Sequence, residues 1–283
     1  MISVITPVYN GERFIESCIK VVIDQNCPDV EHIIVDGGST DGTVKIVKQY
    51  AEKYPHIRWI SEKDKGQSDA MNKGIAMANG EVLAILNVDD YYEPNVLKRI
   101  SEIFKTLPEP SLLVGNCNTW DDEDNLLSVN KPAKMKLADL LLGWSINQFP
   151  ANPSAYFYHT SLHQKIGLYK VGEHYAMDLD FILRAVQVAN VRYVDETWGN
   201  FRYHQSSKTF QSNARGEANS VMKSIMTAYR KDLPLFQQWQ IALQYDNEIS
   251  ERVKYYLRKI KYFLKNPLKL PLSVKGKVTK IFG

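Results

Sequence analysis

Short apolar runs alternate with helix-like stretches through the first hundred residues. The apolar runs are continuous, which is typical of strands covered on both faces of a parallel sheet. They lie at Ile2–Thr6, His32–Val35, Ile57–Ile60 and Val82–Leu86. The intervening patterns predict helices at Glu12–Ile23, Thr43–Lys53 and Gln67–Met77. This alternation predicts right-handed βαβ units and an α/β fold, with a mostly parallel sheet flanked by helices.

The rhythm changes after about residue 110. The pattern predicts a strand at Ser111–Cys117 and an acidic turn at Thr119–Asn125. It then predicts a short helix at Lys136–Leu142 and, at Trp144–Tyr158, a loop that leads into a strand. A helix at Asp180–Val188 and a strand at Val191–Val194 follow. From Gln205 the chain reads as helical to about Lys265, before two prolines interrupt it.

The charge of the chain is concentrated near its C-terminus. Residues 251–283 contain ten lysines and arginines and one acid, a net charge of +9, whereas the whole chain carries +3. The preceding residues therefore carry −6, which excludes a nucleic-acid-binding core. Aromatic residues such as Tyr256 and Phe263 interleave with these cations, a composition that favours a helix lying on an anionic membrane. The alternative is a basic helix packed on the body through its aromatic stripe.

The composition is that of a globular chain. With 283 residues and 44% hydrophobic content, it can bury a full-sized core. Its three cysteines form no C-x-x-C pair, and the N-terminus lacks the pattern of a signal peptide. No apolar run approaches the ~20 residues that span a bilayer. We therefore expect a reduced, cytoplasmic protein, with the basic tail allowing peripheral attachment to the inner face of the cell membrane.

Polar residues follow each of the first four predicted strands. The segments that carry them are Pro7–Asn10, Asp36–Thr43, Asp64–Asp69 and Asn87–Asp90. In open α/β sheets, ligands collect at the carboxyl ends of the strands. Carboxylates follow three of these four strands, and they would repel one another without a cation or a hydrogen-bonding ligand among them.

Each motif also has a simpler interpretation. The glycines of Asp36–Thr43 permit positive φ, and its polar side chains could do no more than cap the next helix. The carboxylates of Asn87–Asp90 suit Mg²⁺ or Mn²⁺ held mainly by substrate phosphates, or Asp90 caps a helix that begins near Glu93. The first strand is not followed by G-x-G-x-x-G, and no glycine-rich run ends in Gly-Lys-Ser/Thr, which excludes a Rossmann dinucleotide turn and a P-loop.

In this order and spacing, the segments Pro7–Asn10, Val35–Thr43, Asp64–Gly74 and Asn87–Asp90 resemble those of the family 2 glycosyltransferases. The resemblance covers roughly residues 1–205. It implies a GT-A (Rossmann-like) nucleotide-sugar-binding and catalytic domain over 1–205, followed by a helical extension over 206–283. It also implies a nucleotide-sugar donor, expected to be UDP-linked, a Mn²⁺ or Mg²⁺ cofactor, and a glycan or lipid-linked glycan acceptor.

The resemblance assigns roles to single residues. The nucleotide-binding residues that it implies are Pro7, Tyr9, Asn10, Asp36, Gly38, Asp64, Gly66 and Asp69, with Asp36 bonded to the base. Asp89 matches the ligand of the metal that bridges the diphosphate. His204 is a second metal ligand or, with Lys208, a contact to the leaving phosphate. Asn87 replaces the first acid of the family's Asp-x-Asp motif, and Asn87 and Asp90 are assigned to the donor sugar.

Asp178 matches the position of the family's catalytic base. It lies in Ala176–Phe181, before an apolar helix. Attack by a sugar hydroxyl needs a proton acceptor within hydrogen-bond reach, and a carboxylate can fill that role. The alternative is that Asp178 caps the helix, while the i,i+4 spacing of Asp180 predicts pairing with Arg184. Four further residues lie where acceptor contacts are expected: Trp144, Gln148, Asn152 and Tyr156.

The predicted function is that of an inverting glycosyltransferase in bacterial surface polysaccharide synthesis. A single displacement at the anomeric carbon inverts its configuration. Asn87 favours one alternative, a catalytically inactive nucleotide-sugar-binding scaffold in a glycan-assembly complex. A sugar nucleotidyltransferase would need a glycine-rich, arginine-containing loop after the first strand, and Pro7–Arg13 contains only Gly11.

Overall fold

The first hundred residues follow the predicted alternation of strands and helices. The computed structural model describes residues 1–172, 175–215 and 217–245. Its first strands are β1 (Ile2–Val8), β2 (Val30–Asp36), β3 (Ile57–Ser61) and β4 (Val82–Ile85). Its first helices are α1 (Ile15–Ile23), α2 (Thr43–Lys53) and α3 (Gln67–Met77). Helices α2 and α3 have the predicted bounds, and α1 begins three residues late because a turn on the Gly11 carbonyl precedes it.

These four strands are parallel and lie in the order β3-β2-β1-β4. Both faces of β1 are covered, as its continuous apolar run predicts. Ile2 and Val4 pack in a core that includes Cys18 of α1. Ile5 faces α3, where a Cβ placed on Gly74 would lie 2.4 Å from Ile5 Cγ2. Glycine at this position therefore allows α3 to lie close against the sheet.

The second half of the sheet is built from later strands. They are β5 (Tyr91–Tyr92), β6 (Ser111–Trp120), β7 (Leu126–Asn130), β8 (Tyr156–His159) and β9 (Asn190–Arg202). The helices of this part are α4 (Val96–Phe104), α5 (Leu137–Leu140), α6 (Leu162–Ile166) and α7 (Met177–Ala185). The sheet order is β3-β2-β1-β4-β8-β6-β9-β5, with β7 paired to β6. The sheet contains both parallel and antiparallel pairs, and helices flank it. This arrangement confirms the predicted α/β fold class.

Two local predictions in this half are corrected. Asp90 does not cap a helix near Glu93, because β5 follows it and α4 begins only at Val96, after Asn95 in a left-handed conformation. The strand predicted at Val191–Val194 runs over the thirteen residues of β9. Its extra length comes from parallel pairing with the whole of β6, which local periodicity does not show.

The C-terminal part of the described chain is helical. It contains α8 (Lys208–Arg215), α9 (Glu217–Lys231) and α10 (Leu235–Tyr245). The chain divides into two compact units, Met1–Tyr229 and Arg230–Gly283. The predicted helix from Gln205 is interrupted before Pro234, and its last part and the basic tail of 251–283 lie outside the described residues. Among the helices that the structure describes, none has the length and apolar character to cross a membrane.

Candidate active site

The carboxyl ends of β1 and β4 border a cavity of about 500 Å³. Its other walls come from the segment after β3 and from the N-terminal turns of α7 and α8. The predicted site residues on its wall are Pro7, Tyr9, Asp64, Gly66, Asn87, Asp89 and Asp178. The fold thus brings residues from both halves of the sequence to one cavity, at the sheet edge where ligands are expected.

Asp36 is the last residue of β2, and it is not among the residues that line this cavity. Its side chain is almost fully buried, and it accepts hydrogen bonds from the backbone amides of Gly38 and Ser39, both at 3.0 Å. The hydroxyls of Ser39 and Ser61 donate to the same carboxylate. Gly38 has a φ of 84°, which lets the chain turn back over Asp36. Asp36 therefore organises the turn, and its contact with a nucleotide base stays a prediction.

Asn10 connects the loop after β1 to the same turn. Its backbone amide donates to Ser39 Oγ at 2.7 Å, and its side-chain oxygen accepts from the Thr40 amide at 2.8 Å. Asn10 itself adopts a left-handed φ of 48°. Asn10 does not line the cavity. Its hydrogen bonds instead join the loop after β1 to the turn after β2.

The segment between β3 and α3 is held by its own carboxylates. Asp64 Oδ1 accepts from the Gly66 amide at 2.8 Å, and Asp69 Oδ2 accepts from the Lys65 amide at 3.0 Å. Gly66 has a φ of 109°, in a region that disfavours other residues. Asp64 and Gly66 line the cavity, whereas Asp69 does not and only accepts a hydrogen bond from the backbone of this segment.

Asp89 and His204 are in contact although they are 115 positions apart. His204 Nε2 lies 2.9 Å from Asp89 Oδ2, and its Nδ1 lies 2.8 Å from Ser206 Oγ. The Phe14 ring packs beside the imidazole, with the centroids 5.1 Å apart. Asp89 reaches the cavity and His204 is buried behind it. The two predicted metal ligands thus lie side by side.

The chemistry of this pair fits a divalent cation. Carboxylate oxygen suits Mg²⁺ and Mn²⁺, and Mn²⁺ also accepts imidazole nitrogen. Within the described residues, no group of three or more His, Cys, Asp or Glu side chains forms a candidate metal site. A cation held by two protein ligands keeps positions for substrate oxygens, as Mg²⁺ commonly does at phosphates.

Asp90 lies behind Asn87 in a buried hydrogen-bond network. Asp90 Oδ2 accepts from Asn87 Nδ2 at 2.8 Å and from Asn152 Nδ2 at 2.7 Å. Its Oδ1 accepts from the backbone amide of Arg202 at 3.2 Å. Burial raises the pKa of Asp90 well above its usual range, and the charge of Asp89 acts in the same direction. Asp90 does not line the cavity, and its contact with a donor sugar stays a prediction.

This network gives a reason for asparagine at position 87. Asn87 donates to Asp90 through its nitrogen and accepts from Gln67 Nε2 at 2.8 Å through its oxygen. An ionised carboxylate at position 87 could only accept, and it would repel Asp90. Asn87 therefore connects α3 to the end of β4, in a role that an ionised aspartate could not fill.

Asp178 lies on the cavity wall in the first turn of α7. The N-cap residue of this helix is Ala176, so the structure does not support the alternative that Asp178 is the cap. Its Oδ1 accepts a hydrogen bond of 2.8 Å from Tyr156 Oη. Burial raises the pKa of Asp178, while the Tyr156 hydroxyl and the charge of Lys208 act in the opposite direction. The result is a partly desolvated carboxylate that faces a cavity.

Helix α7 is anchored through Asp180, as its spacing predicts. Arg184 Nε lies 2.8 Å from Asp180 Oδ2, which confirms the i,i+4 pair. Lys170 Nζ adds a second ion pair at 2.6 Å from Oδ1. These contacts fix the helix whose first turn carries Asp178.

The predicted acceptor residues have different environments. Asn152 lines the cavity, and Trp144 is 45% exposed. Gln148 accepts hydrogen bonds from Asn130 and from the Lys131 amide. Tyr156 is fully buried, so the expectation that it contacts the acceptor is corrected.

Sequence reasoning gave Gln67 no role, although it lies within a motif segment. It is on the cavity wall, where its Oε1 lies 3.5 Å from Lys208 Nζ. Partial desolvation of the ammonium beside the cavity lowers the pKa of Lys208, and the charge of Asp178 acts in the opposite direction. The position of Gln67 directly after Gly66, at the start of a helix, was the available signal.

The family model for glycosyl transferase family 2 matches residues 3–161. An uncharacterized glycosyltransferase of Nostoc is 42% identical over 106 residues, which cover 37% of this chain and 33% of the relative. Chondroitin synthase of Escherichia coli is 33% identical over 129 residues, covering 45% and 19% of the two chains. The chain thus spans a third or less of the length of these relatives.

Solved structures share the fold. Residues 1–349 of Staphylococcus aureus TarS, in complex with UDP-GlcNAc, have a TM-score of 0.65 at 20% identity, covering 97% of this chain and 77% of that fragment. A mannosyltransferase of Pyrobaculum calidifontis, solved with GDP-Man and Mn²⁺, has a TM-score of 0.54 at 16% identity, covering 88% and 64%. The fold is that of the GT-A glycosyltransferases. Together with the family match, this shows that the chain belongs to glycosyl transferase family 2.

Proposed function

We propose that the protein is an inverting glycosyltransferase that moves a sugar from a nucleoside diphosphate, preferably UDP, to a hydroxyl of a glycan or lipid-linked acceptor. The observation that carries this proposal is that Asp89 and Asp178, from distant parts of the chain, line one cavity. One carboxylate is suited to the diphosphate end of a donor, the other to the acceptor. Family membership supports the reaction class.

In this proposal, Asp178 accepts the proton of the acceptor hydroxyl as its oxygen bonds to the anomeric carbon. The bond from that carbon to the diphosphate breaks in the same displacement, which inverts the configuration. Asp89 and His204 would hold a Mn²⁺ or Mg²⁺ ion, which when bound stabilises the negative charge of the leaving diphosphate. Lys208, which also lines the cavity, would add a positive charge near the same group.

Similar proteins support both the nucleotide-sugar donor and the polysaccharide product of this proposal. TarS was solved with UDP-GlcNAc and the Pyrobaculum mannosyltransferase with GDP-Man and Mn²⁺, so nucleotide sugars bind to this fold. Chondroitin synthase is a polysaccharide-forming relative by name. By analogy, we assign this protein to surface polysaccharide synthesis.

A calorimetric panel of UDP-, GDP- and dTDP-sugars, with and without Mn²⁺, tests the proposal. We expect one UDP-sugar to bind best, with higher affinity in the presence of the cation. The same mixtures, supplied with candidate glycan acceptors, should release the nucleoside diphosphate. Binding without turnover under every acceptor condition would favour an inactive scaffold, and absence of binding to all donors would contradict the proposal.

Asp36→Ala is expected to weaken UDP binding by about 1–3 kcal/mol, the loss typical for a hydrogen bond to a charged group. Ser61→Ala is the matched control, because it removes one donor to Asp36 at 2.6 Å and keeps the carboxylate. Calorimetric titration with UDP measures both variants. If Ser61→Ala weakens binding as much as Asp36→Ala, the carboxylate acts through the turn and does not contact the base.

We propose further that the basic tail of residues 251–283 attaches the protein to the inner face of the cell membrane. Its net charge of +9 supports this, because each cation near an anionic surface contributes up to ~1 kcal/mol. Truncation after residue 250 should abolish salt-sensitive binding to phosphatidylglycerol vesicles in a sedimentation assay. Phosphatidylcholine vesicles are the control. Equal binding by the truncated and full chains would contradict the proposal.

A further inference from the structure

The carboxylate of Asp178, the proposed base, accepts a hydrogen bond from a buried phenol. Tyr156 Oη donates a hydrogen bond of 2.8 Å to Asp178 Oδ1, and Tyr156 is fully buried. Asp178 is among the residues that line the cavity, whereas Tyr156 is not. The hydroxyl of Tyr156 can therefore influence a bound acceptor only through Asp178.

Packing fixes the phenol in this position. The ring of Tyr156 stacks on that of Phe181, with the centroids 5.9 Å apart and the planes at 21°. Phe181 is three residues after Asp178 on α7, so both side chains lie on the same face of the helix. Tyr156 also pairs with Val114 of β6, within the sheet. The sheet and the helix thus hold the donor and the acceptor of this hydrogen bond in register.

Among the residues that the structure describes, only the Tyr156 side chain donates a hydrogen bond to Asp178. We propose that Tyr156 is the positioning residue of this site: it holds Oδ1 of Asp178, so that Oδ2 is presented to the acceptor hydroxyl. This inference rests on the proposed function, in which Asp178 accepts the proton.

The electrostatic surroundings of Asp178 agree with this role. Burial raises its pKa, which strengthens the base but also favours the protonated, inactive form. The Tyr156 hydrogen bond lowers the pKa, and so does the charge of Lys208 on α8. The other titratable groups coupled to Asp178 are Tyr158 of β8 and Tyr169, which follows α6. The Tyr156 hydrogen bond therefore favours the ionised form of a desolvated carboxylate.

Tyr156→Phe tests the inference, because it removes the hydroxyl and keeps the ring that stacks on Phe181. The pH midpoint of Asp178 is measured by ¹³C NMR on protein labelled at the aspartate carboxyl carbon, and Asp178→Asn assigns the resonance. Loss of a hydrogen bond to a carboxylate should raise this midpoint by about one pH unit or more. The acid limb of the turnover profile should move up with it, while KM for the donor stays unchanged.

Tyr158→Phe is the matched control on the same strand. Its hydroxyl is also buried, but it lies 3.5 Å from Tyr169 Oη and 3.2 Å from His163 Nε2, and it does not bond to Asp178. This variant should lower the thermal midpoint and leave the Asp178 resonance unmoved. If Tyr156 had only a structural role, Tyr156→Phe would also lower the thermal midpoint and leave the Asp178 resonance unmoved.

The outcomes separate the inference from the proposed function. An Asp178 midpoint in Tyr156→Phe equal to that of the wild type overturns the positioning role, even where Asp178→Asn abolishes turnover. An equal shift in Tyr158→Phe overturns it as well. If Asp178→Asn retains turnover, Asp178 is not the base, and the positioning inference fails together with that assignment.

Discussion

Asp178→Asn is expected to reduce turnover by roughly 10²–10⁴-fold, the contribution of a positioned general base. The amide keeps the size of the side chain but cannot accept the proton of the acceptor hydroxyl. The affinity for the donor should change little, because the proposed contact of Asp178 is with the acceptor. Release of the nucleoside diphosphate measures turnover, and calorimetry measures donor affinity.

The pH dependence of turnover provides a second test of Asp178 as the base. Burial raises the pKa of Asp178, and only its ionised form can accept a proton. Wild-type turnover should therefore fall as the pH drops through this pKa, and the remaining activity of Asp178→Asn should lack that limb. Asp122→Asn makes the same chemical change in an exposed turn, away from the cavity, and should behave as wild type. Near wild-type turnover by Asp178→Asn would assign the base to another group.

Asp89→Ala is expected to abolish the cation dependence of UDP binding. Replacing residues that merely support metal ligands costs 10–100-fold in metal affinity, so loss of the carboxylate of a two-residue site should cost more than ~100-fold. Binding of uridine, which lacks the diphosphate, should remain nearly intact. Calorimetric titration of UDP and uridine, each with and without Mn²⁺, measures the difference.

His204→Gln is the companion variant, because it removes the imidazole that lies 2.9 Å from Asp89 and leaves the carboxylate. We expect it to reduce the cation-dependent part of the affinity by less than Asp89→Ala does. Asp122→Ala controls for the loss of one negative charge elsewhere on the protein. Equal enhancement of UDP binding by Mn²⁺ in Asp89→Ala and in the wild type would place the cation at other residues.

Much of the candidate site could be predicted from the sequence because its residues directly follow strands. A parallel strand delivers the residues at its carboxyl end to one edge of the sheet. Asp64 and Asp89 could therefore be predicted as neighbours of one cavity from their positions after apolar runs. The cavity wall confirms that the structure brings them together, and the roles assigned to them stay predictions.

The contacts behind the cavity could not be predicted in this way. Asn87 reads as a departure from an acidic motif, and only the hydrogen bonds to Gln67 and Asp90 explain the amide. Tyr156 reads as one aromatic residue among many in its segment. Its bond to Asp178 depends on the packing of β8 against α7, which the one-dimensional pattern does not contain.

The sequence by itself determined the parallel half of the sheet and the bounds of α2 and α3. Those elements depend on local periodicity and on turn residues that lie within a few positions of one another. Only the tertiary structure decided the order β4-β8-β6-β9 and the contact of Asp89 with His204, 115 residues away. These features depend on pairings between distant segments, whose free energy comes from burial and hydrogen bonding that exist only once the chain has folded.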